Sequence, residues 1–407
     1  MKTITVSENT SIPIDEDQRN ICESILSKGL SQDFTIVQNE LVFNEYLIGS
    51  CIIGDTLFQI ESRHKLFPTQ TLFEMLMYSS LNKFNATHLS GGYGADSTFG
   101  VKPTIHSFCN VCEELIRFGL GGKFESHMNY LDFIKGNIVA TKYSRLETIY
   151  RGIPVIFPEY GRNTLENRIL KTALIKISSG PQKAGVNPRI KQLLREFDNI
   201  GELRSDAVLK NYKYNDVYVN PFYPIAMELA VIILQKYNLK FKDGNLEWSS
   251  FLVNSNSVFE RYVYSILKNN LSETVEKWDS PKSYGKLVTQ EKSIDKNYQP
   301  DVLIDYDSGQ GSCRAVFDVK NKNLMSGGKV DVKDADIYQI AFYCKSLNTK
   351  IGALIYPTPE LMPPNHIIIN AFEDVQIFIL GLDMNENITN RHRQIVNTIK
   401  RSVFSVV

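Results

Sequence analysis

The sequence carries no excess of charge of either sign. Its 407 residues include 45 Lys and Arg against 45 Asp and Glu, so the formal net charge at pH 7 is zero. This excludes the class of proteins that coat nucleic acid through a global positive field. A local basic patch can still bind a phosphate backbone, and a neutral protein that acts on DNA is expected to be brought there by a partner.

Cysteine is scarce, and its spacing supports no disulfide or zinc framework. Of the six cysteines, only Cys109 and Cys112 form a C-x-x-C pair. Without a second pair this is a weak metal or redox signal. We interpret all six as ordinary thiols, a usage typical of a reducing cytoplasm.

Long apolar runs are absent as well. No uninterrupted apolar stretch reaches the roughly 18 residues of a membrane helix, and residues 1–17 lack the apolar core of a signal peptide. We therefore expect a cytoplasmic protein with no membrane partner.

The sequence also lacks the phosphate-binding pattern G-x-x-x-x-G-K-[ST]. Two segments, Ser90–Gly94 and Gly119–Lys123, are rich in glycine without matching it, and we interpret them as loops. The first lies within a longer segment, Leu89–Gly100, whose composition predicts a loop. A nucleotide-hydrolysing motor that works with this protein must therefore be another chain.

The length predicts two or three domains, since a domain usually holds about 100–150 residues. We divide the chain into a β-rich region (1–125), a mainly helical region (126–248) and a mixed region (249–407), which together indicate an α+β or mixed α/β fold. The first region has predicted strands at Phe34–Gln38, Leu41–Tyr46 and Leu57–Glu61 and helices at Thr71–Leu81 and His106–Phe118. The second has predicted helices at Asn163–Leu174 and Met227–Tyr237, with a break at Ser178–Pro188.

The third region alternates helices and strands. Its predicted helices are Val258–Leu267, Asp334–Leu347 and one from about 388 to 403. Its predicted strands are Val302–Tyr306, Arg314–Lys320, Ile351–Tyr356, His366–Ala371 and Val375–Leu380, and Pro357 is expected to end the third of them. Residues 307–312 form the turn between the first two strands, so we expect a mixed sheet with flanking helices.

Charged residues share one face of the strand Arg314–Lys320. Side chains alternate along a strand, so Asp318 and Lys320 point the same way. Charges on a short apolar strand are costly unless their face meets solvent, a metal or a substrate. Asp301 begins the neighbouring strand, and pairing across the turn is expected to bring it close to Asp318.

Two converging carboxylates repel each other unless a cation binds between them. Mg²⁺ is a hard ion that takes oxygen ligands and often uses only one or two carboxylates with water and phosphate, and Mn²⁺ is an alternative. Asp301 and Asp318 are therefore candidate metal ligands, with Glu260 on the helix Val258–Leu267 as a third. Lys320 is placed to orient a water or to neutralise charge on a phosphate.

Gln339 and Tyr343 are four residues apart on a predicted helix, so they share a face and would flank this site. The alternative interpretation of the pattern is structural. Asp318 and Lys320 would then form a surface ion pair on an edge strand, worth about 0–1 kcal/mol. Asp301 would simply begin a strand, and Glu260 would be solvated.

The ordered set Glu260, Pro300-Asp301, Asp318-Val-Lys320 and Gln339-x-x-x-Tyr343 resembles the PD-(D/E)XK nuclease fold with a RecB-like motif. Further stretches resemble the McrC family, the nuclease subunit of modification-dependent McrBC restriction systems. These are Tyr46-Leu-Ile-Gly49 with Phe58-Gln-Ile60, Ile134–Ile138, the helix Asn163–Leu174, Asp336–Gln339 and Leu354–Pro357. Where the family has Pro-Lys after Gln-Ile, this chain has Glu61-Ser-Arg-His.

The resemblance implies a division of labour between two proteins. An McrC-like chain supplies a Mg²⁺-dependent DNA endonuclease and docks through its N-terminal region on a hexameric AAA+ GTPase, McrB, whose hydrolysis it stimulates. Asp301, Asp318 and Glu260 would hold the metal, with Lys320, Gln339 and Tyr343 completing the catalytic set. The alternatives are a GTPase-stimulating adaptor with little nuclease activity and a stand-alone nuclease of the same fold.

DNA contacts are predicted beside the catalytic strand, where the phosphate backbone would pass. Lys322, Lys329 and Lys333 are the candidate residues. A second basic group, Arg391, Arg393, Lys400 and Arg401, lies on the last helix. Either group is also compatible with a solvated face.

Overall fold

The computed structural model describes most of the chain. The described residues are 2–8, 10–28, 33–61, 69–81, 101–143, 151–179, 183–204, 209, 219–242, 245–278, 280–288, 293–326, 329–359, 366–371 and 374–406. The predicted loop Leu89–Gly100 lies outside them. The chain divides into two compact units, one of residues 1–101 with 240–407 and one of residues 102–239. The N-terminal and C-terminal predicted regions thus contribute to one unit.

The strands occur in both units. In chain order they are β1 (Lys2–Ser7), β2 (Ser11–Pro13), β3 (Phe34–Val37), β4 (Glu40–Phe43), β5 (Leu47–Ile53), β6 (Thr56–Glu61), β7 (Lys123–Leu131), β8 (Asn137–Ile138), β9 (Ile153–Gly161), β10 (Tyr237–Lys242), β11 (Asn245–Asn254), β12 (Val275–Glu276), β13 (Lys282–Val288), β14 (Ser293–Tyr298), β15 (Val302–Ile304), β16 (Ala315–Val319), β17 (Met325–Ser326), β18 (Lys329–Val330), β19 (Ile351–Thr358), β20 (His366–Ala371) and β21 (Val375–Asp383).

Every helix predicted from the sequence has a counterpart among the helices of the described residues. In chain order they are α1 (Glu16–Ser27), α2 (Thr69–Leu81), α3 (Val101–Phe118), α4 (Ala140–Tyr143), α5 (Leu165–Ser178), α6 (Lys183–Glu196), α7 (Tyr223–Lys236), α8 (Ser255–Asn270), α9 (Asp334–Ser346) and α10 (Ile388–Thr398). A π-helical turn, Ile399–Val403, continues α10. Within the described residues, no helix combines the length and apolar character needed to cross a bilayer.

A six-stranded mixed sheet forms the centre of the larger unit. Its order is β12-β15-β16-β19-β21-β20, with β16, β19 and β21 parallel to one another. Every residue of β16 is buried, so both faces of that strand are covered, and the alternative of an exposed edge strand is wrong. Helix α9 packs closely on β19, because a Cβ on Gly352 would lie 2.8 Å from the Cys344 sulfur and 2.9 Å from Ile340.

Pro357 was predicted to end the strand that begins at Ile351. Strand β19 instead includes Pro357 and continues to Thr358. Pro357 pairs in parallel register with Leu382 of β21. The other neighbour, β16, ends its pairing at Val319 opposite Ile355. Proline cannot donate to a strand ladder, but at this level β19 has only one paired neighbour, so the missing N–H is tolerated.

A second sheet joins the N-terminal strands to the chain that enters α8. Its order is β1-β6-β5-β11-β10, and β11 pairs antiparallel with β5. Strand β11 runs through residue 248, where a boundary was predicted. Gly49 makes this pairing possible. Its φ is 143°, and a Cβ at this position would lie 2.0 Å from the carbonyl oxygen of Phe251.

The smaller unit contains a three-stranded sheet beside its helices, and the sequence did not predict this sheet. Strands β7, β9 and β8 form an antiparallel sheet in which β7 and β9 pair over nine residues. Strand β7 has large apolar or aromatic side chains at even-numbered positions, Phe124, Met128 and Tyr130, which lie on one face of the strand. No strand was predicted from this pattern. The predicted break at Ser178–Pro188 is also too long, because α6 already begins at Lys183.

Asn167 fastens helix α5 inside the smaller unit. It is fully buried, and its amide donates to the carbonyl oxygens of Gly121 and Arg162 at 2.9 and 2.7 Å. It accepts a hydrogen bond from the Tyr223 hydroxyl at 2.6 Å. Arg168 donates to the side chain and carbonyl of Asn163. Asn167 and Arg168 therefore both take part in hydrogen bonds within the smaller unit.

All six cysteines are free and buried, as expected of ordinary thiols. Cys109 and Cys112 lie on α3. Burial raises the pKa of the Cys109 thiol to about 11 and that of the Cys112 thiol well above its usual range. Neither thiol is ionised at neutral pH, which disfavours a redox or zinc role.

Candidate active site

Asp301 and Asp318 meet at one end of the β15–β16 hairpin. Val302 pairs with Phe317 in antiparallel register, which places Asp301 opposite Asp318. The Val319 amide donates to an Asp301 carboxylate oxygen at 2.8 Å. The predicted turn closes the hairpin, because the amide of Asp307 donates to the carbonyl oxygen of Ser312 at 2.8 Å. The prediction that the two carboxyls converge is confirmed.

Burial raises the pKa values of both aspartates. Burial and the neighbouring Asp301 carboxyl raise the pKa of Asp318 to about 7, although Lys320 opposes the shift. Burial and Glu260 also raise the pKa of Asp301, while the Val319 amide lowers it. Two carboxyls this close repel each other when both are ionised, which favours the form in which one of them is protonated. A cation bound between them would replace that proton.

Lys320 is held against Asp318 by its surroundings. Its ammonium forms an ion pair with the Asp318 carboxylate and donates to Gln339 Oε1 at 2.8 Å. Its backbone amide donates to the Ile355 carbonyl at 2.9 Å, which fixes the chain just beyond β16. Burial disfavours the charged ammonium, but Asp318 outweighs burial and raises the pKa of Lys320.

Gln339 and Tyr343 support the lysine from α9. Gln339 Nε2 donates to the Tyr343 hydroxyl at 2.7 Å, as their spacing on one helix face predicts. The Tyr343 hydroxyl in turn lies 3.5 Å from the Gln299 carbonyl oxygen, which it reaches as a donor. This chain of contacts orients the Gln339 amide so that its oxygen faces Lys320.

Glu260 lies beside the two aspartates. Asn256, one turn earlier on α8, donates to Glu260 Oε1 at 2.6 Å, and the Lys277 ammonium lies 3.9 Å from Glu260 Oε2. Burial raises the pKa of Glu260, Lys277 lowers it, and the charge of Asp318 raises it. Glu260 is therefore a member of the site and not a solvated helical residue.

These side chains line one small polar cavity of about 260 Å³. Its lining residues are Tyr46, Asn256, Glu260, Gln299, Asp301, Asp318, Val319, Lys320, Asn321, Lys322 and Gln339. The cavity brings together Asp301, Asp318, Lys320, Glu260 and Gln339 of the predicted set, with Tyr343 behind Gln339.

Four polar lining residues were not predicted from the sequence. Asn256 has a sequence signal, since it lies four residues before Glu260 on the same helix face. Tyr46 has none. It adopts a left-handed φ of 62°, and its carbonyl accepts from the amide of Ser255, the first residue of α8. Asn321 donates to the Ser255 hydroxyl at 3.1 Å, and Gln299 precedes Asp301 by two residues.

The aspartate pair fits a hard divalent cation. Asp318 Oδ2 is buried. Among the described residues it accepts no hydrogen bond of good geometry, although it forms an ion pair with the Lys320 ammonium. Within the same residues, no three His, Cys, Asp or Glu side chains are grouped to bind a metal together. Mg²⁺ commonly uses one or two carboxylates and fills its remaining positions with water and phosphate. Asp301 and Asp318 meet that requirement, and direct ligation by Glu260 stays a prediction.

The lysines expected to contact DNA differ in their surroundings. The Lys322 ammonium donates to both carboxylate oxygens of buried Asp336, at 2.8 and 3.1 Å. Tyr356 donates to the same carboxylate at 3.1 Å. Lys329 lies in β18, and Lys333 is exposed at the start of α9. A role of the three lysines in DNA binding stays a prediction.

The last helix does not present Arg391 to solvent. This arginine is 1% exposed. Its guanidinium donates to the carbonyl oxygens of Asp383, Met384 and Glu386 and to the Tyr262 hydroxyl. These hydrogen bonds connect α10 with β21, the residues that follow β21, and α8. Arg391 is therefore not part of a basic surface on this helix.

Comparison with known proteins identifies the family. A sequence model described as the McrBC 5-methylcytosine restriction system component matches residues 44–357. No curated protein matches the chain.

Two solved structures are similar to this chain. One is described as a refined half-complex from the tetradecameric assembly of Thermococcus gammatolerans McrB AAA+ hexamers with bound McrC. A chain of that structure has a TM-score of 0.65 and 15% identity, and the match covers 100% of both chains. A chain of the cryo-EM structure of the Thermococcus gammatolerans McrBC complex has a TM-score of 0.49 and 16% identity, over 67% of this chain and 89% of that chain. The first likeness shows that the whole chain shares that fold, and the family match shows that the protein belongs to the McrBC 5-methylcytosine restriction system component family.

Proposed function

We propose that this chain is the DNA-cleaving subunit of an McrBC-type restriction and defence complex. It would act as a metal-dependent endonuclease that hydrolyses phosphodiesters. The observation that carries the proposal is the convergence of Asp301, Asp318 and Lys320 in one small polar cavity. Burying two carboxyls and a lysine costs folding free energy, so a purely structural role does not explain them. Together they suit the chemistry of a phosphate ester.

Each residue has a role in this proposal. Asp301 and Asp318 would hold Mg²⁺, or Mn²⁺ in its place, and the bound ion would supply Lewis-acid polarisation of the phosphate and a more acidic water. Lys320 would neutralise charge that develops on the phosphate oxygens. Gln339 and Tyr343 orient Lys320, and Glu260, held by Asn256, would orient the attacking water.

A AAA+ GTPase hexamer is the proposed partner. Family membership supports this, and the structure that shares the fold is described as McrB AAA+ hexamers with bound McrC. The sequence itself has no G-x-x-x-x-G-K-[ST] loop, so nucleotide hydrolysis would belong to the other chain. In this proposal the present chain would stimulate that hydrolysis and cleave DNA that its partner selects.

A plasmid cleavage assay tests this function. Methylated plasmid is incubated with Mg²⁺ and the protein, with and without the AAA+ protein encoded beside it and GTP. We expect linear product only when partner and GTP are both present. Cleavage by the isolated chain would favour a stand-alone nuclease. Stimulated GTP hydrolysis without cleavage would favour an adaptor.

A further inference from the structure

A two-stranded ribbon stands beside the candidate site. It consists of β13 and β14, residues 282–288 and 293–298, which form a sheet of their own. Nearly all of its residues are exposed. An isolated pair of strands is at best marginally stable in water, so the ribbon must be held at its base, and its exposed faces need another explanation.

Aromatic contacts fix the base of the ribbon to the catalytic framework. Tyr298, the last residue of β14, packs on Trp278 at a ring distance of 5.4 Å, on Phe342 at 5.6 Å and on Tyr343 at 6.0 Å. Tyr343 accepts from Gln339, which accepts from Lys320. The ribbon is therefore joined by direct contacts to the residues that orient the catalytic lysine.

A β-bulge directs one ribbon residue toward α9. The register shifts between Ser283 and Gly285, so Tyr284 has no opposite residue. Its ring packs on Phe342 at 5.0 Å, yet 55% of the residue stays exposed. Bulges increase local twist and re-aim side chains, and they are frequent beside active sites. This bulge lies where Tyr284 contacts α9, next to the candidate site.

The outer part of the ribbon mixes cations with apolar side chains. Lys286 and Lys296 are exposed, and the one acidic residue of the described ribbon, Asp295, lies 3.9 Å from the Lys286 ammonium. Leu287 and Ile294 pair across the strands, and they are 45% and 49% exposed. Lysines attract phosphates, and apolar side chains contact base edges and thymine methyl groups.

The dimensions of the ribbon suit a groove of duplex DNA. Seven residues at about 3.3 Å each give a length of roughly 23 Å. The major groove is about 12 Å wide and admits a two-stranded β-ribbon. A protein partner would match the apolar pair but would gain little from the lysines around it, so the charge favours DNA.

We propose that this ribbon is a DNA-docking arm that enters a groove of the duplex and holds the adjacent phosphodiester backbone at the catalytic cavity. The inference rests on the proposed function, because it assigns a substrate-binding element to that site. It adds Lys286 and Lys296 to the DNA contacts and gives Tyr284 the role of a positioning residue.

Charge reversal on the ribbon tests the proposal. The full-length wild type is compared with the double variant Lys286→Glu/Lys296→Glu by fluorescence anisotropy with a labelled duplex of about 25 base pairs, a length that spans the roughly 23 Å ribbon several times over. EDTA in the buffer prevents metal-dependent cleavage. Lys350→Glu is the matched control, because Lys350 is an exposed lysine that precedes β19, at the opposite end of the sheet from Lys320. Lys286→Gln/Lys296→Gln provides a milder second variant, and melting temperatures establish that the variants are folded.

We expect the charge-reversed variant to bind duplex at least about tenfold more weakly, with a salt slope lower by about two. The glutamine variant should show an intermediate loss, and Lys350→Glu should bind as the wild type does. Unchanged duplex affinity in both ribbon variants would overturn the inference, and so would absence of duplex binding by the wild type or tighter binding of single strands. The proposed nuclease function is tested separately by plasmid cleavage. If the ribbon binds DNA but the protein does not cleave it, the nuclease function is refuted and the docking inference stands.

Discussion

Metal binding should release a proton from the aspartate pair. Burial raises the pKa of Asp318 to about 7, and Asp301 adds to the shift. A divalent cation needs the ionised carboxylate, so metal and proton compete for the same oxygens. With a pKa near 7, about one tenth of the pair is ready for metal at pH 6 and about nine tenths at pH 8. The apparent affinity should therefore rise about tenfold across this range.

Titration with Mn²⁺, monitored by the electron paramagnetic resonance signal of the free ion, measures this affinity at pH 6, 7 and 8. Calorimetry at pH 7 in two buffers of different ionisation enthalpy should give release of about half a proton per ion. Asp318→Asn should abolish the site. Asp374→Asn, a matched change in an exposed aspartate before β21, should leave it intact. An affinity that varies less than about twofold between pH 6 and 8 would refute the reasoning.

Other parts of the structure make independent predictions. Burial and, to a smaller extent, the charge of Arg391 lower the pKa of His392 to about 4. The neutral imidazole therefore contributes up to about 3 kcal/mol to the free energy of unfolding above about pH 6.5. This contribution is lost as the pH falls from about 6.5 toward 4. His392→Gln should flatten that dependence in urea denaturation at stepped pH, and parallel curves for both proteins would contradict it. Gly49→Ala should cost at least about 2 kcal/mol in the same assay, whereas Gly161→Ala, at an open position, should cost little. Equal losses would remove the special role of Gly49. Gln339→Ala should slow DNA cleavage about 10- to 100-fold while Mn²⁺ affinity is kept, and loss of metal binding would show a different role.

The sequence was sufficient to predict the β15–β16 hairpin of the candidate site and the helix that supports it. The alternation in Arg314–Lys320 places Asp318 and Lys320 together, and the short turn forces the antiparallel pairing that brings Asp301 opposite. Gln339 and Tyr343 follow from helical periodicity alone. Each of these signals is local, because the residues concerned lie within one element or on either side of one turn.

Long-range pairing and exposed strands could not be predicted in the same way. Tyr46 reaches the cavity because β5 pairs with β11, two hundred residues later in the chain, and no local pattern encodes that register. Both ribbon strands were missed because most of their side chains are exposed. They therefore lack the apolar alternation that marks a half-buried strand. Arg391 looks like a surface cation in the sequence, and only the surrounding carbonyl oxygens show it to be an internal tie.

The most direct test of the catalytic assignment is single-turnover plasmid cleavage with Mg²⁺, GTP and the AAA+ partner, in which wild type, Asp318→Asn and Asp374→Asn are compared. Asp318 lines the candidate cavity, whereas Asp374 is a largely exposed aspartate that precedes β21. The proposed site predicts that Asp318→Asn abolishes cleavage while the partner's GTP hydrolysis is still stimulated, and that Asp374→Asn cuts like the wild type. Cleavage by Asp318→Asn at the wild-type rate would contradict the assignment.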